Sequence, residues 1–248
     1  MNEFFWERAV KFPGNFPAHE KQKKMQNFFN LKKTKLETNE TIFKFNPLLN
    51  SCHILSCEKL PEELCLSKEH FDELYKTHPK EYGLVKIYGK EIPTPRYQQS
   101  YGEDYAFSGM VHKALPLEHP FLKKLLAWVC EHSGKKYQQV LVNWYDNGNH
   151  YIGAHSDDER QLVKGSDIYS FSFGATRTFR VKAKKNKGIE PFKTKDFIMN
   201  NNSLLIMGGR MQEFFTHEVP KCSTKTMANF PEKRRINVTF RHFIEHAK

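Results

Sequence analysis

The stretch NWYDNGNHYIGAHSDDE, Asn143 to Glu159, gathers four acidic groups and two histidines into one short run. Within it, His155 and Asp157 form an H-x-D pair. Such a pair means little by itself in a chain with 12 histidines. It gains weight from His217 in EFFTHEV, a later segment that reads as a strand and can return to the same end of a β-sandwich. Two imidazoles and one carboxylate on one face make a facial triad, which holds Fe(II) and leaves coordination positions open for oxygen chemistry. An iron oxygenase also needs an electron-donating cosubstrate. The segment RINVTFR alternates with period two, so that Arg235, Asn237, Thr239 and Arg241 share one face while Ile236, Val238 and Phe240 share the other. The two arginines stand about 20 Å apart along an ideal strand, a spacing that suits the two ends of a dicarboxylate better than one shared carboxylate. Asn143 and Tyr145 also share a face and can add hydrogen bonds. The same alternation fits an edge strand whose charges are merely solvated.

These side chains need a frame. Glu62 to Tyr75 (EELCLSKEHFDELY) has helical spacing with Leu64, Phe71 and Leu74 on one face, and Pro120 to Glu131 reads as a second helix with proline in its first turn. After Gln139 the pattern changes to short strands: VLVNWY, DIYSFSF, TFRVKA, SLLIMG, EFFTHEV and RINVTFRHF. Helices followed by six or more closely spaced strands predict an α+β chain dominated by a sandwich or jelly roll. The chain of 248 residues is expected to form one main domain over 42–248 behind a basic, disordered tail over 1–41. Its formal charge of +11 favours a polyanionic partner, nucleic acid ahead of an anionic membrane surface. There is no apolar run long enough to cross a membrane, and MNEFFWERAV does not read as a signal peptide. The five cysteines are odd in number and lack paired C-x-x-C spacing, which predicts free thiols in an intracellular, reducing compartment.

From about Tyr88 to Phe243 the chain resembles the AlkB-type Fe(II)/2-oxoglutarate dioxygenases, especially the eukaryotic members that repair alkylated duplex DNA. The resemblance is carried by IPTPRYQQSYGEDYAFSG, NWYDNGNHYIGAHSDDE, SFSFGATRTF, the histidine of FFTHEVP, and RINVTFR, in the family's order. It implies a double-stranded β-helix, with His155, Asp157 and His217 as iron ligands and Asn143, Tyr145, Arg235, Asn237, Thr239 and Arg241 binding 2-oxoglutarate. The implied reaction uses Fe(II), O2 and 2-oxoglutarate to hydroxylate the N-methyl group of bases such as 1-methyladenine and 3-methylcytosine, releasing formaldehyde, succinate and CO2. A methylated Watson–Crick edge lies inside the duplex, so the base must be flipped out or already unpaired.

Several further residues follow, some from the same resemblance and some from their own local pattern. The nucleotide-recognition segment covers about 85–112. Tyr105, Phe107 and Ser108 resemble the pocket that receives the extracted base, although an aromatic pair of this kind also suits a core. Asp158 and Glu159 fall at the pocket mouth, where carboxylates favour cationic methylated bases over normal ones, or else form a solvated cluster. Ile87, Tyr88 and Gly89 in VKIYGKEIP resemble the finger loop whose side chain fills the gap left by a flipped base, with a buried strand end as the alternative. Arg96, Lys182, Lys184, Lys185 and Lys221 are candidate phosphate contacts, and the lysine-rich 182–187 segment is otherwise a solvated hairpin tip. In the tail, Gln22, Met25, Phe28 and Phe29 resemble the peptide box that binds the DNA sliding clamp, a short helical turn presenting three apolar prongs. The expectation is a monomeric, nuclear DNA demethylase. An RNA demethylase of the same family and a clamp-tethered binding protein with secondary catalysis are the competing readings.

Overall fold

The structure is a computed structural model that describes residues 43–244 apart from 50, 108–109, 186 and 189–191. In chain order the elements are β1 (Lys44–Pro47), β2 (His53–Cys57), a 3-10 turn (Glu62–Leu64), α1 (Lys68–Tyr75), β3 (Leu84–Ile87), β4 (Lys90–Pro93), β5 (Tyr97–Tyr101), β6 (Tyr105–Phe107), β7 (Met110–His112) and α2 (Pro120–Ser133). Then come β8 (Gln139–Tyr145), β9 (Ile152–His155), β10 (Ile168–Gly174), β11 (Arg177–Ala183), β12 (Lys195–Met199), β13 (Ser203–Gly208), the short α3 (Met211–Phe214), β14 (Phe215–Val219), α4 (Thr224–Ala228) and β15 (Arg235–Arg241). A seven-stranded sheet in the order β1-β2-β13-β10-β15-β8-β5 faces a four-stranded sheet in the order β12-β11-β14-β9. Every strand pair is antiparallel, and β3–β4 and β6–β7 form separate hairpins. This is a double-stranded β-helix.

The predicted helix over 62–75 is interrupted. Cys65 is extended and Ser67 caps a new helix, its hydroxyl accepting from the His70 amide, so the stretch becomes a 3-10 turn followed by α1. Leu64, Phe71 and Leu74 are nevertheless all buried, as their spacing requires. The second helix starts at Pro120 and ends where Gly134 takes a left-handed conformation. The predicted strand EFFTHEV begins only at Phe215, because Met211–Phe214 coils into α3. Short strands such as β9 and β12 carry too few alternating residues to stand out in the sequence. All five cysteines are free, and no helix among the described residues is long and apolar enough to cross a membrane.

β15 settles the competing readings of RINVTFR. It lies between β10 and β8, paired on both sides, and every one of its residues is buried. Ile236, Val238 and Phe240 pack with Trp144, Phe171, Phe173 and the apolar faces of α1 and α2. Burial of each such side chain stabilises the fold by about 1.5–3 kcal/mol. The opposite face of β15 turns Arg235, Asn237, Thr239 and Arg241 towards the space between the two sheets, so a solvated edge strand is ruled out.

An ion network ties α1 to the start of β15. Arg234 donates to both carboxylate oxygens of Glu232 (2.9 and 2.7 Å) and to Asp72 (2.6 Å), while its guanidinium lies over the rings of Phe71 and Tyr75. Its carbonyl accepts from the Ala175 amide beside Gly174, where a Cβ would fall 2.3 Å from that oxygen and φ is +87°, so glycine is required there. Partial burial weighs against the charge of Glu232, but the hydrogen bonds and charge of Arg234 outweigh it and hold the carboxyl down to about 2. A carboxyl depressed by folding contributes stability above its unfolded pKa and loses it as pH falls through its folded pKa. Glu232→Gln is therefore expected to lower stability by about 1 kcal/mol at neutral pH, since solvent screens this half-exposed network. In thermal denaturation the difference from wild type should close between about pH 4.5 and pH 2. A constant difference across that range would remove Glu232 from the network's titration.

Candidate active site

The two sheets bring the three candidate ligands together from different elements. His155 ends β9, Asp157 follows two residues on, and His217 lies in β14 directly opposite His155 in the register. Nε2 of His155 is 3.8 Å from Oδ1 of Asp157, and Nε2 of His217 is 3.8 Å from Oδ2. All three donor atoms lie within 4.8 Å of one another. The Nδ1–H of His155 donates to the Gly153 carbonyl at 2.9 Å, which leaves Nε2 with its lone pair towards the cluster. Phe179 stacks on the His217 ring at 5.1 Å and fixes its plane.

The electrostatics suit a cation. Burial keeps both imidazoles neutral, pushing His155 below its ordinary value and His217 to about 3. Burial alone would raise Asp157, but the Arg241 guanidinium and its hydrogen bond hold the carboxyl down to about 2. The carboxylate accepts from Arg241 Nη2 at 2.9 Å through Oδ1, while Oδ2 is buried with no hydrogen-bond partner. Two neutral imidazoles and a carboxylate with a bare oxygen fit a divalent metal.

β15 supplies the anion-binding half. Arg235 is 1% exposed, donates through Nη2 to Ser172 (2.8 Å), and leaves Nε and Nη1 buried without a partner. Its guanidinium lies over the Tyr145 ring at 5.0 Å. Burial pushes Arg235 down to about 10, and a buried cation short of acceptors calls for an anion. Arg241, six positions along and 3% exposed, also donates to Gln139 (3.1 Å) beside the metal ligands. Between the arginines, Asn237 donates to Ser170 and the Phe171 carbonyl, and Thr239 donates to Asn237. Asn143 and Tyr145 pair in register with Asn237 and Arg235 on the neighbouring β8. One cationic end at the metal and another at Tyr145 fit a dicarboxylate.

One phosphate candidate is overturned. Arg96 is 3% exposed, donating through Nε to Asn143 (2.7 Å) and through Nη2 to Gln98 (3.0 Å), because β5 pairs with β8 and turns this face inward. It belongs to the floor of the site. Lys182 is not at a hairpin tip but within β11, bridged to Glu218 at 2.7 Å. Lys184 donates to the Gln212 carbonyl and lies 3.9 Å from Asp158. Lys185 and Lys221 are exposed, the latter over the Tyr151 ring. Asp158 is exposed beside the ligand triad and Glu159 is half-buried.

The hairpin β3–β4 turns through Tyr88 and Gly89, with φ of +49° and +77°. Positive φ at both central residues is the signature of a two-residue turn matched to strand twist. Tyr88 is 100% exposed at its tip, so it is no buried strand end. Ile87 closes β3, and exposed Lys86 and Lys90 flank the turn. Tyr105 and Phe107 lie on β6, opposite His112 and Met110 of β7; Ser108 lies outside the described residues, as do Gln22, Met25, Phe28 and Phe29. A cavity of about 320 Å³ lined by Leu84, Gln98, Met110, Val111, His112 and Leu141 adjoins that hairpin.

Arg177 in SFSFGATRTF is a further residue of the site that residue type alone does not single out. The signal was its register: it shares the inner face of β11 with Phe179 and Val181, where a charge has no solvent. It is 2% exposed.

A double-stranded β-helix that presents two imidazoles, a carboxylate and a buried dibasic strand defines a non-haem iron oxygenase with a dicarboxylate cosubstrate. Residues 76–241 match the 2OG-Fe(II) oxygenase superfamily, and the chain belongs to it, as a dioxygenase of AlkB type that uses Fe(II), 2-oxoglutarate and O2. The DNA oxidative demethylase ALKBH2 of Mus musculus is 36% identical over 64% of this chain and 66% of its own length. The Bos taurus ALKBH2 is 31% identical over 75% of this chain and 69% of its own. The Homo sapiens alpha-ketoglutarate-dependent dioxygenase alkB homolog 3 is 34% identical over 59% of this chain and 51% of its own. The match thus spans about two thirds of the ALKBH2 relatives and half of the alkB homolog 3 relative. A solved structure of OsALKBH1 aligns with 80% of this chain and 100% of its own, with a TM-score of 0.51 and 18% identity, a likeness of fold.

Proposed function

We propose that the protein oxidatively demethylates N-alkylated bases in DNA, 1-methyladenine and 3-methylcytosine among them, and thereby repairs alkylation damage. The observation that carries the reading is the fully exposed aromatic at the tip of a tight hairpin on a chain whose relatives are DNA oxidative demethylases. Bound iron would activate O2, the oxidant, with 2-oxoglutarate giving up two electrons as it leaves as succinate and CO2 and the N-methyl group giving up the other two. His155, Asp157 and His217 hold the metal, and Arg241 orients the carboxylate of Asp157. Arg235 and Arg241 bind the two ends of 2-oxoglutarate, with Asn143, Tyr145, Asn237 and Thr239 between them. The hydroxylated N-methyl group then falls away as formaldehyde.

The remaining residues bring the base to the metal. Tyr105, Phe107 and Ser108 receive the flipped base, and Asp158 and Glu159 favour cationic methylated bases over normal ones. Tyr88, supported by Ile87 and the turn at Gly89, fills the vacated stack, while Lys185, Lys221 and the hairpin's Lys86 and Lys90 meet phosphates. Formaldehyde release from methylated duplex DNA, single-stranded DNA and RNA oligomers tests the substrate class. Tyr88→Ala with Ile87→Ala is expected to lower duplex activity at least about tenfold while single-strand activity changes little, since unstacking costs a few kcal/mol only in the duplex. Equal losses on both substrates would make the pair structural, and preference for RNA would point to an RNA demethylase.

The Gln22, Met25, Phe28 and Phe29 box supports a tether to the sliding clamp, and with it nuclear action at replicated DNA. Phe28→Ala with Phe29→Ala is expected to abolish clamp binding and leave demethylation of short oligomers intact. Calorimetry with the tail peptide decides it: silence at tens of micromolar peptide, about the weak limit for such motifs, removes the tether.

A further inference from the structure

Arg177 and Arg235 are two guanidiniums buried on one aromatic ring. Arg177 lies over Tyr145 at 5.6 Å and Arg235 over the same ring at 5.0 Å. Among the described residues neither has a carboxylate partner. Arg177 spends its terminal nitrogens on backbone carbonyls: Nη2 donates to His150 (2.8 Å) and Pro220 (2.6 Å), and Nη1 to Asn147 (3.4 Å). Its Nε is buried without a partner. These carbonyls belong to the loop between β8 and β9 and to the residue after β14, the segments that lead to His155 and away from His217.

Three neutral carbonyls satisfy hydrogen bonds but do not cancel a charge. Two positive charges thus remain at the Tyr145 end of the site, with several buried donors unmet. A stacked arginine used only as a loop clamp would leave this arrangement electrostatically unfavourable, because burial, above all, and the neighbouring Arg177 act against the charge of Arg235 by more than the supporting Tyr145 offsets. An anion at Arg235 relieves both.

We propose that Arg177 is a positioning residue for the cosubstrate: acting through Tyr145 and beside Arg235, its buried charge makes the site prefer a 2-oxo acid with a distal carboxylate over a monocarboxylate of equal length. Arg235 is the direct contact, and Arg177 acts from its own place over the same ring. The loop carbonyls hold Arg177 in place, so the charge costs no reorganisation when the carboxylate arrives. The proposal rests on the assignment of Arg235 to the distal carboxylate.

Calorimetry without oxygen on the full chain loaded with Mn(II) tests it by comparing 2-oxoglutarate with 2-oxovalerate, which replaces the distal carboxylate by a methyl group. In Arg177→Gln, which keeps an amide donor for the carbonyls and removes the charge, 2-oxoglutarate affinity is expected to fall about tenfold with 2-oxovalerate nearly unchanged. In Arg177→Lys the charge stays and the fork is lost, so the preference for the dicarboxylate should persist even if both ligands weaken. A purely structural clamp gives equal weakening of both ligands in Arg177→Gln, and loss of the preference in Arg177→Lys, which keeps the charge, would show that the charge does not set it. Either result overturns the proposal. Circular dichroism confirms folding, and Arg177→Met, likewise uncharged and close to the original length, carries the test if Arg177→Gln does not fold. An Arg235→Ala variant that binds 2-oxoglutarate normally removes the underlying assignment, whereas its expected loss with an unchanged preference in Arg177→Gln removes this proposal alone.

Discussion

His155→Ala is expected to abolish turnover while leaving a folded protein. The imidazole is neutral, and its removal leaves no buried charge behind. Replacing residues that merely orient a metal ligand costs about 10–100-fold in affinity or activity, so losing a ligand itself should cost at least about a hundredfold. His217→Ala should match it in activity. Asp157→Ala differs in kind. Its carboxylate accepts from Arg241 within the interior, and deleting one partner of a buried ion pair costs about 3–5 kcal/mol. That variant should therefore lose both metal binding and thermal stability, with Asp157→Asn recovering part of the packing. Titration with Mn(II), decarboxylation of 2-oxoglutarate and a melting curve separate the three cases. Wild-type decarboxylation by any of them would sink the triad.

The second large effect is expected at Arg235. Truncation to alanine removes a charge-assisted hydrogen bond to a carboxylate in a confined site, at a cost of about 2–5 kcal/mol, which is roughly 30-fold to several thousandfold in the 2-oxoglutarate requirement. Arg235→Lys should recover little, because an ammonium cannot reproduce the planar fork that donates to Ser172 and still leaves Nε and Nη1 for a ligand. Arg241→Ala should raise the requirement as well, but with lower metal affinity, since Arg241 also holds Asp157. Saturation curves for 2-oxoglutarate, measured with binding of the metal alone, distinguish these patterns. Unchanged saturation in both alanine variants would refute the assignment of β15.

The chemistry was legible in the sequence because it is written in residue type and short-range period. His155-x-Asp157 and the alternation of RINVTFR name donor atoms and the face they share, and a strand keeps that relation whatever surrounds it. The helix spacing of Leu64, Phe71 and Leu74 predicted their burial for the same reason, even though Ser67 broke the helix between them. What the sequence left open was the environment of each charge. Arg235 and Arg241 read equally well as solvated until β10 and β8 closed on both sides of β15. Arg96 reads as a surface cation beside a phosphate, and only the pairing of β5 with β8 turns it onto Asn143. Lys182 acquires Glu218 from a strand 36 positions away, and Tyr88 proves exposed because two positive φ angles reverse the chain beneath it. Arg177 shows the limit most plainly: nothing near it in the chain announces that the carbonyls of Asn147, His150 and Pro220 converge on it beside Tyr145. Side-chain type and period are local properties of the chain. Burial, ion pairing and convergence depend on which distant segments become neighbours, and only the tertiary structure decides that.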